Sequence, residues 1–357
     1  MPHLLVDITS HGYGHVSQTS AVVNELVKLV PELNVTVRTT APYEFLKQRF
    51  QCDFQHIPIA MDFGMKMVSA IEVKVAESAA AYREFHHDWR EKVERAALAM
   101  RQLKPDLLLA NVPYLSLVAA QAANVRAVGM CSLNWADIYQ HYCVDDIESQ
   151  AIHQQMLEAY NSAECFLKIQ PAMEMSSLTN ARSIQPIARV GKSHRLQLAA
   201  QCSLRDGEKL VMIAMGGMEF RLPVQDWPKI AGVRWIVPQS WSIRRDDTIA
   251  FEDLHLPFTD VLASCDALLS KPGYGTFTEA ACTGIPVLYV TRRDWPEEPC
   301  LVRWLKQHAV CLEVERVLLQ TGELNSVLKQ LWEIPSPPRP AAAGAVEAAQ
   351  FLLATYY

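Results

Sequence analysis

The sequence lacks most of the short motifs that identify a reaction on their own. GxSxG, HExxH and the P-loop pattern GxxxxGK followed by Ser or Thr are all absent. No motif in this chain therefore supports a serine hydrolase, a zincin or a P-loop NTPase. No repeat of solenoid length occurs either, which excludes a repeat array.

Paired cysteines and long apolar runs are also missing. The 9 cysteines are scattered, odd in number and without a CxxC pair. This usage favours reduced thiols over a disulfide framework or a zinc site. No apolar run reaches transmembrane length, and Met1-Pro2-His3 leads directly into the first predicted strand without room for a signal peptide. We expect a cytoplasmic protein with no transmembrane segment and no metal.

Excess positive charge is absent too. The formal net charge is −6, so the chain lacks the overall positive charge that attracts nucleic acid. The chain has 357 residues, 50% of them hydrophobic, which suffices for two domains with a core each. We expect small-molecule partners and no nucleic acid.

The most informative stretch runs from Ala267 to Pro299, ALLSKPGYGTFTEAACTGIPVLYVTRRDWPEEP. Its pattern predicts a buried strand, a glycine turn, a helix over 278–282, a second strand over 285–290 and a charged loop ending in Glu297, Glu298 and Pro299. Thr276 is the predicted N-cap, and Glu279 stands three residues later, as a capping box requires.

That turn predicts an anion site. Gly273 and Gly275 permit close approach of backbone N–H groups, and the following helix N-terminus favours a phosphate. Glu279 either caps its own helix or accepts hydrogen bonds from a sugar hydroxyl. The nearby cations are Lys271, Arg292 and Arg293.

A second glycine turn follows the first strand. His3–Ile8 is apolar, TSHGYGH follows over 9–15, and 16–30 has helical spacing. A dinucleotide-binding fingerprint is the alternative, but Ser17 replaces its third glycine and the second strand ends in Thr39-Thr40 without an acidic residue. His11 and His15 flank this turn, and an imidazole suits a base at neutral pH.

Several other segments predict structure or contacts less specifically. A long helix is predicted over 69–103, with His86 and His87 in solvent, and an irregular segment over 173–186. Met65, Met67 and Val68 either face an apolar acceptor or membrane, as a peripheral contact, or pack in the core or a lid. Asn134 and Asp137 follow a predicted strand, and Gly216-Gly217 follow the strand 209–215. A last helix is predicted over 341–354.

The motifs together resemble a known family. GYGTxxEAxxxGxPxxxxxRxxxxEEP and SHGYGH resemble the glycosyltransferase-like domain of L-arabinokinases and, more distantly, MurG-type glycosyltransferases. The resemblance implies a GT-B fold: two α/β Rossmann-like domains with parallel sheets facing a central cleft and a C-terminal helix returning to the first. The implied domains are 1–186 for the acceptor, 187–338 for the nucleotide sugar and 339–357 for the returning helix.

The resemblance also implies an activity, a metal-independent and inverting transfer from a nucleotide diphosphate sugar, with a UDP-sugar favoured, to an unknown acceptor. No DxD occurs, which counts against a metal-dependent GT-A enzyme. No further cofactor is expected. A nucleotide-sugar epimerase or hydrolase and a non-catalytic sugar-nucleotide-binding protein remain alternatives. No kinase domain follows in this sequence, so we do not expect an arabinokinase.

Three groups of residues are predicted to form the site. The candidate bases are His15, His11 and Asp137. The acceptor side is assigned Ser10, Gly12, Tyr13, Gly14 and Asn134. The donor is assigned Gly216, Gly217, Lys271, Pro272, Gly273, Tyr274, Gly275, Thr276, Glu279, Arg293, Glu297 and Glu298.

Overall fold

The computed structural model describes residues 1–69, 72–216, 221–291 and 294–357. The chain divides into two compact units. Unit 1 comprises Met1–Ile187 together with Ala343–Tyr357, and unit 2 comprises Ala188–Ala342.

Unit 1 is an α/β unit built on a parallel sheet. In its described residues, the strands are β1 His3–Ile8, β2 Asn34–Arg38, β3 Gln55–Ile57, β4 Met67–Ser69, β5 Glu72–Val73, β6 Leu107–Asn111, β7 Arg126–Cys131, β8 Cys165–Ile169 and β9 Ala181–Ile184. The sheet has the order β3-β2-β1-β6-β7-β8-β9, and β4 and β5 form a separate antiparallel pair.

Helices connect these strands. They are α1 Tyr13–Leu29, α2 Tyr43–Arg49, α3 Val75–His87, α4 Trp89–Leu103, α5 Tyr114–Ala123, α6 Trp135–Cys143 and α7 Ser149–Asn161. The central strands are buried along nearly their whole length because helices cover both faces of a parallel sheet. Leu4, Leu5 and Val6 of β1 and Leu107, Leu108 and Leu109 of β6 are all 0% exposed.

Unit 2 repeats this architecture. Its described strands are β10 Lys209–Ala214, β11 Val233–Val237, β12 Thr248–Ala250, β13 Ala267–Ser270, β14 Val287–Tyr289 and β15 Cys311–Glu313. They form a parallel sheet of order β12-β11-β10-β13-β14-β15. The helices are α8 Arg195–Gln201, α9 Phe258–Ala263, α10 Tyr274–Thr283, α11 Glu298–His308, α12 Arg316–Thr321 and α13 Asn325–Glu333.

The final helix, α14 Gly344–Tyr356, belongs to unit 1 and packs against α1. Its first residue must be glycine, because a Cβ at Gly344 would stand 2.0 Å from the carbonyl oxygen of Gln185. The Glu347 carboxylate accepts a hydrogen bond of 2.7 Å from the backbone N–H of Gln185. These contacts fix the start of α14 beside the end of β9, as the predicted returning helix requires.

Some sequence-based expectations about unit 1 were wrong. The described residues of the segment 69–103, which was predicted to be one helix, contain the end of β4, then β5, α3 and α4, and the two helices are separated at Asp88. The segment 173–186, predicted to be irregular, contains β9. His86 is 6% exposed, not in solvent, since its two ring nitrogens lie within hydrogen-bond distance of Gln155 and Tyr114. Met65 is buried, which favours core packing at that position.

Across the described residues, we find no helix that combines the length and the apolar composition needed to cross a bilayer.

Candidate functional site

Each sheet has a point from which the chain winds outward in both directions. In unit 1 this point lies between β1 and β6, which are parallel neighbours, and in unit 2 between β10 and β13. The loops after two such strands diverge, and the crevice between them is the usual ligand site of an open α/β sheet. The predicted residues of each unit lie mostly at these two points.

In unit 1 the turn after β1 is shorter than predicted. The helix α1 begins at Tyr13, so His15 lies in its first turn and not at the end of a loop. Gly12 is the N-cap, with φ 113° and ψ 158°, a conformation that L side chains rarely adopt. The chain therefore enters the helix at this glycine, three residues earlier than the apolar pattern indicates.

His15 hydrogen-bonds with the last residue of β6. Its Nδ1 lies 2.9 Å from Oδ1 of Asn111, and the thiol sulfur of Cys131 lies 3.6 Å from the same nitrogen. Asn111 was not predicted, because 96 residues separate it from His15 and only the pairing of β1 with β6 brings the two together.

The contacts of Asn111 determine the tautomer of His15. The Asn111 amide nitrogen donates to the Gln18 side-chain oxygen at 3.1 Å and to the His15 backbone carbonyl at 3.4 Å. A backbone carbonyl only accepts, so the amide nitrogen faces it and Oδ1 faces the imidazole. Nδ1 of His15 therefore donates its hydrogen to Asn111, which leaves the lone pair on Nε2.

The environment also keeps His15 neutral. Desolvation by burial lowers the pKa of its imidazole, while the hydrogen bond with Asn111 opposes part of that change. Asn111 is an amide without charge, so it does not compensate a buried imidazolium as a carboxylate would. A neutral imidazole with a fixed tautomer is suited to accept a proton.

His11 packs against an aromatic side chain of α6. Its ring meets the Trp135 indole edge-on, with centroids 5.0 Å apart, and the His15 ring lies 6.4 Å from the same indole. Gly64 lies against His11, because an added Cβ there would stand 2.7 Å from the ring. Both predicted histidines therefore flank Trp135, a residue that the sequence did not indicate.

Asp62 is a further residue that sequence reasoning missed. It is 5% exposed and accepts hydrogen bonds from the Thr9 hydroxyl at 2.6 Å and the Trp135 indole N–H at 2.8 Å. Burial raises the pKa of its carboxyl to about 6, against the opposing effect of these hydrogen bonds. A signal existed, since Asp62 is a single charged residue within the apolar stretch IAMDFGM.

Asp137 and Asn134 form a helix cap. The Asn134 side-chain oxygen accepts from the backbone N–H of Asp137 at 2.8 Å, and its amide donates to the Asp137 carboxylate at 2.9 Å. Burial raises the pKa of Asp137, against the opposing effects of the Asn134 hydrogen bond and, to a smaller extent, of His153. In the described part of the chain, the Asp137 carboxylate bonds with Asn134 and with neither candidate histidine.

The predicted acceptor-side residues occupy the exposed rim of this turn. Tyr13 is 51% exposed and packs on Phe45 with ring centroids 4.4 Å apart. The Ser10 hydroxyl accepts from the Thr40 hydroxyl at 2.6 Å. Gly12 and Gly14 have no atom within 4 Å of the position that a Cβ would take. Space therefore remains at the N-terminus of α1.

In unit 2 the residues after β10 and β13 also meet. Gly216 has φ 82°, and an added Cβ would lie 3.0 Å from Cε and 3.5 Å from Nζ of Lys271. The structure thus places the Lys271 ammonium group beside the glycine after β10. Gly217, Arg292 and Arg293 lie outside the described residues.

The helix after β13 also begins earlier than predicted. Gly273 is the N-cap of α10 and no side chain caps the helix, so the expected capping box of Thr276 and Glu279 was wrong. Thr276 lies in the first turn and Glu279 in the second. Gly275 has no atom within 4 Å of a Cβ position, while Pro272 and Tyr274 are buried. The first turn of α10 therefore combines backbone N–H groups with open space at Gly275.

The two helices begin with the same three residues. Gly12-Tyr13-Gly14 and Gly273-Tyr274-Gly275 each place glycine at the N-cap, tyrosine next and glycine second in the helix. Neither N-cap has a side-chain hydrogen bond. Each helix therefore presents first-turn amides without competition from a capping side chain.

Glu297 and Glu298 were predicted in a loop, and this was wrong. Glu297 is the N-cap and Glu298 the first residue of α11, because Pro299 is favoured in the first turn of a helix. They are 7% and 6% exposed. Glu297 accepts a hydrogen bond of 3.2 Å from the Trp295 indole. Negative charge at a helix N-terminus is stabilised by the helix dipole.

Among the residues that the structure describes, no group of three or more His, Cys, Asp or Glu side chains has an arrangement that could hold a metal ion.

Comparison with known proteins identifies the fold. No family model matches the chain. One curated relative, the L-arabinokinase of Arabidopsis thaliana, is 22% identical over 329 residues, which cover 90% of this chain and 31% of the relative. The chain thus spans about a third of the length of the curated relative that it matches.

Solved structures match over nearly the whole chain. The glycotransferase of kitacinnamycin has a TM-score of 0.62 at 12% identity, covering 99% of this chain and 96% of that one. UDP-N-acetylglucosamine 2-epimerase has a TM-score of 0.57 at 15% identity, and the match covers 100% of this chain and 96% of the epimerase. UGT2 of Phytolacca americana, complexed with UDP-2fluoro-glucose and pterostilbene, has a TM-score of 0.60 at 12% identity. The match covers 99% of this chain and 94% of UGT2. The chain has the GT-B fold.

Proposed function

We propose that this chain is a glycosyltransferase that moves a sugar from a nucleotide diphosphate donor, with a UDP-sugar favoured, to an acceptor hydroxyl. The transfer needs no metal ion and inverts the configuration of the sugar. The observation that supports the proposal most directly is the His15–Asn111 hydrogen bond of 2.9 Å. It presents a neutral imidazole in one tautomer at the switch point of a GT-B sheet.

His15 is the proposed base. Its Nε2 lone pair takes the proton of the acceptor hydroxyl while the hydroxyl oxygen bonds to the anomeric carbon. The bond from that carbon to the diphosphate oxygen breaks, and the nucleoside diphosphate leaves with the electron pair. A single displacement of this kind inverts the anomeric centre. His11 and Asp137 are the remaining candidates, and Ser10, Gly12, Tyr13, Gly14 and Asn134 form the proposed acceptor side.

The donor is proposed to bind in unit 2. The first-turn amides of α10 and the Lys271 ammonium group neutralise the departing diphosphate, which oriented dipoles and cations stabilise. Glu279 binds the ribose, and Glu297 and Glu298 bind the sugar hydroxyls. The other proposed donor contacts are Gly216, Gly217, Pro272, Gly273, Tyr274, Gly275, Thr276 and Arg293. The donor supplies its own leaving group, so no cofactor is required.

A binding screen followed by an assay of transfer tests the proposal. Calorimetry with UDP-, GDP-, dTDP- and ADP-sugars would identify the donor, since we expect one base to bind at least about tenfold tighter than the rest, or about 1.4 kcal/mol. Incubation with that donor and a panel of acceptors should release nucleoside diphosphate only when an acceptor is present. If none of these sugar nucleotides binds, the proposed function is wrong.

The likeness to UDP-N-acetylglucosamine 2-epimerase supports a second candidate. An epimerase or hydrolase would act on the sugar nucleotide alone and would give an epimer or a free sugar without an acceptor. Product analysis of an acceptor-free incubation separates this candidate from the transferase. Tight binding without turnover in either incubation would instead favour a non-catalytic sugar-nucleotide-binding protein.

A further inference from the structure

Asp62 joins three elements that meet at the candidate histidines. It follows β3, and its two carboxylate oxygens accept from different partners, Oδ1 from the Thr9 hydroxyl and Oδ2 from the Trp135 indole N–H. The backbone N–H of Ser10 also donates to this carboxylate. An indole N–H can only donate, so this set of partners matches a carboxylate with both oxygens accepting.

The same segment reaches the histidines by two routes. Trp135, held by Asp62, packs edge-on against His11 and lies 6.4 Å from the His15 ring. Two residues after Asp62, the backbone of Gly64 lies so close to His11 that no Cβ would fit. The Thr9 hydroxyl, which donates to Asp62, accepts from the backbone N–H of His11 at 3.4 Å. His11 therefore contacts three groups that are bound to Asp62 or close to it in the chain.

Protonation of Asp62 would disturb this arrangement. A proton on Oδ2 would face the Trp135 indole N–H, which cannot accept, and a proton on Oδ1 would force the Thr9 hydroxyl to turn from donor to acceptor. Burial, with a smaller contribution from the charge of Asp7, raises the pKa of Asp62 to about 6. Asp7 is itself paired with Arg38, and the charge of Asp62 contributes to raising the pKa of Tyr82, Tyr114 and Tyr160. His11 contacts the same Thr9 hydroxyl and Trp135 indole as Asp62.

We propose that Asp62, as a carboxylate, is a positioning residue that holds Trp135 and the turn after β1 so that His11 and His15 keep their orientation. This positioning role does not depend on the reaction. Its effect on turnover rests on the proposed transferase function, so the two parts are tested separately.

The indole N–H of Trp135 reports directly on Asp62. In an NMR titration of ¹⁵N-tryptophan-labelled full chain, with the signal assigned through Trp135→Phe, we expect a chemical-shift step with a midpoint about pH 6. Asp62→Asn, which has nearly the same volume, should abolish that step. A Trp135 signal that is constant between pH 5 and 8, or an identical step in Asp62→Asn, would overturn the positioning role.

Turnover supplies the second arm. We expect Asp62→Asn to lower kcat about 10–100-fold, as misplacement of a reacting group does, with donor affinity unchanged. Asp247→Asn is the matched control, since Asp247 is also buried but lies in unit 2, where it is paired with Arg245, and it should retain kcat. Full kcat in Asp62→Asn would overturn the proposal. If the wild type transfers no sugar, the transferase proposal fails while the NMR step still decides whether Asp62 positions Trp135.

Discussion

The amide oxygen of Asn111 accepts a hydrogen bond from Nδ1 of His15 across the two central strands of unit 1. A neutral amide in this position orients the imidazole, and its hydrogen bond offsets only part of the cost of burying the protonated form. The pKa of His15 therefore remains lowered by burial. A carboxylate at the same position would orient the ring and also favour the imidazolium.

Exchanging the amide for a carboxylate should change the protonation of His15. We expect Asn111→Asp to raise the pKa of His15, because an adjacent negative charge favours the charged imidazole. Asn111→Leu should instead release the ring and slow turnover roughly fivefold, equivalent to about 1 kcal/mol for one lost hydrogen bond. NMR titration of the ¹³Cε1-labelled histidines measures the pKa. Asn24→Asp, which adds the same charge farther along α1, is the control. A His15 pKa that stays unchanged in Asn111→Asp would contradict the contact between residue 111 and the His15 ring.

Removal of the proposed base should affect rate and not donor binding. We expect His15→Ala to lower turnover about 10²–10⁴-fold, as loss of a general base does. Donor affinity should persist because the proposed donor contacts lie in unit 2, and the acidic limb of the pH–rate profile should disappear. His11→Ala is the comparison at the same indole. If His11→Ala abolishes turnover and His15→Ala does not, the roles are exchanged.

The shared Gly-Tyr-Gly starts of α1 and α10 allow a matched pair of variants. Gly275→Val should weaken donor binding while the fold persists, because open space surrounds the position where the side chain would enter. Gly14→Val is the same substitution at the equivalent helix position in unit 1, also in open space, and should leave donor affinity unchanged. Calorimetry with the identified donor measures both. Equal affinities for Gly275→Val and wild type would rule out a diphosphate at α10.

Glu279 is predicted to bind the donor, and the structure removes the alternative that it caps its own helix. It lies in the second turn of α10, so a capping role no longer explains it. We expect Glu279→Ala to lose about 1.5–3 kcal/mol of donor binding, the range for hydrogen bonds to a charged group. Its melting temperature should change little. A lowered melting temperature with normal donor affinity would show that Glu279 stabilises unit 2 instead.

His86 should make unit 1 less stable in acid. Burial lowers the pKa of its imidazole to about 4, from 6.5 in an unfolded chain. Between these values the unfolded state binds more protons, so the free energy of unfolding falls as pH falls from 6.5 towards 4. The full difference is worth about 3 kcal/mol. Chemical unfolding of His86→Gln at several pH values should show a weaker dependence. His87→Gln, at the exposed neighbour, should match wild type.

Local sequence patterns predicted the strands and several helices well. The apolar run His3–Ile8 is β1, and the strand predicted over 209–215 is β10 Lys209–Ala214, because each is an apolar run that ends at turn residues. The starts of α1 and α10 were predicted late. Capping rules favour threonine, serine, aspartate or asparagine at an N-cap, whereas both helices begin at a glycine.

The polar partners of the site depended on tertiary structure. Asn111 and Asp62 reach the histidine turn only through strand pairing and the fold of the segment after β3. His86 has its hydrogen-bond partners 28 and 69 residues away, so no local pattern distinguishes it from its exposed neighbour. The sequence thus predicted the two glycine turns, while the groups that orient the side chains around the histidines could be identified only from the fold.

The packing of α14 against α1 has a consequence for biosynthesis. The first helix of unit 1 leaves the ribosome roughly 300 residues before its partner, an interval on the order of tens of seconds. During that interval the face of α1 that contacts α14 remains exposed, although the central strands of unit 1 have already been synthesised. A nascent chain stalled before Gly344 should therefore recruit chaperones, and emergence of α14 from the ribosome should end that recruitment.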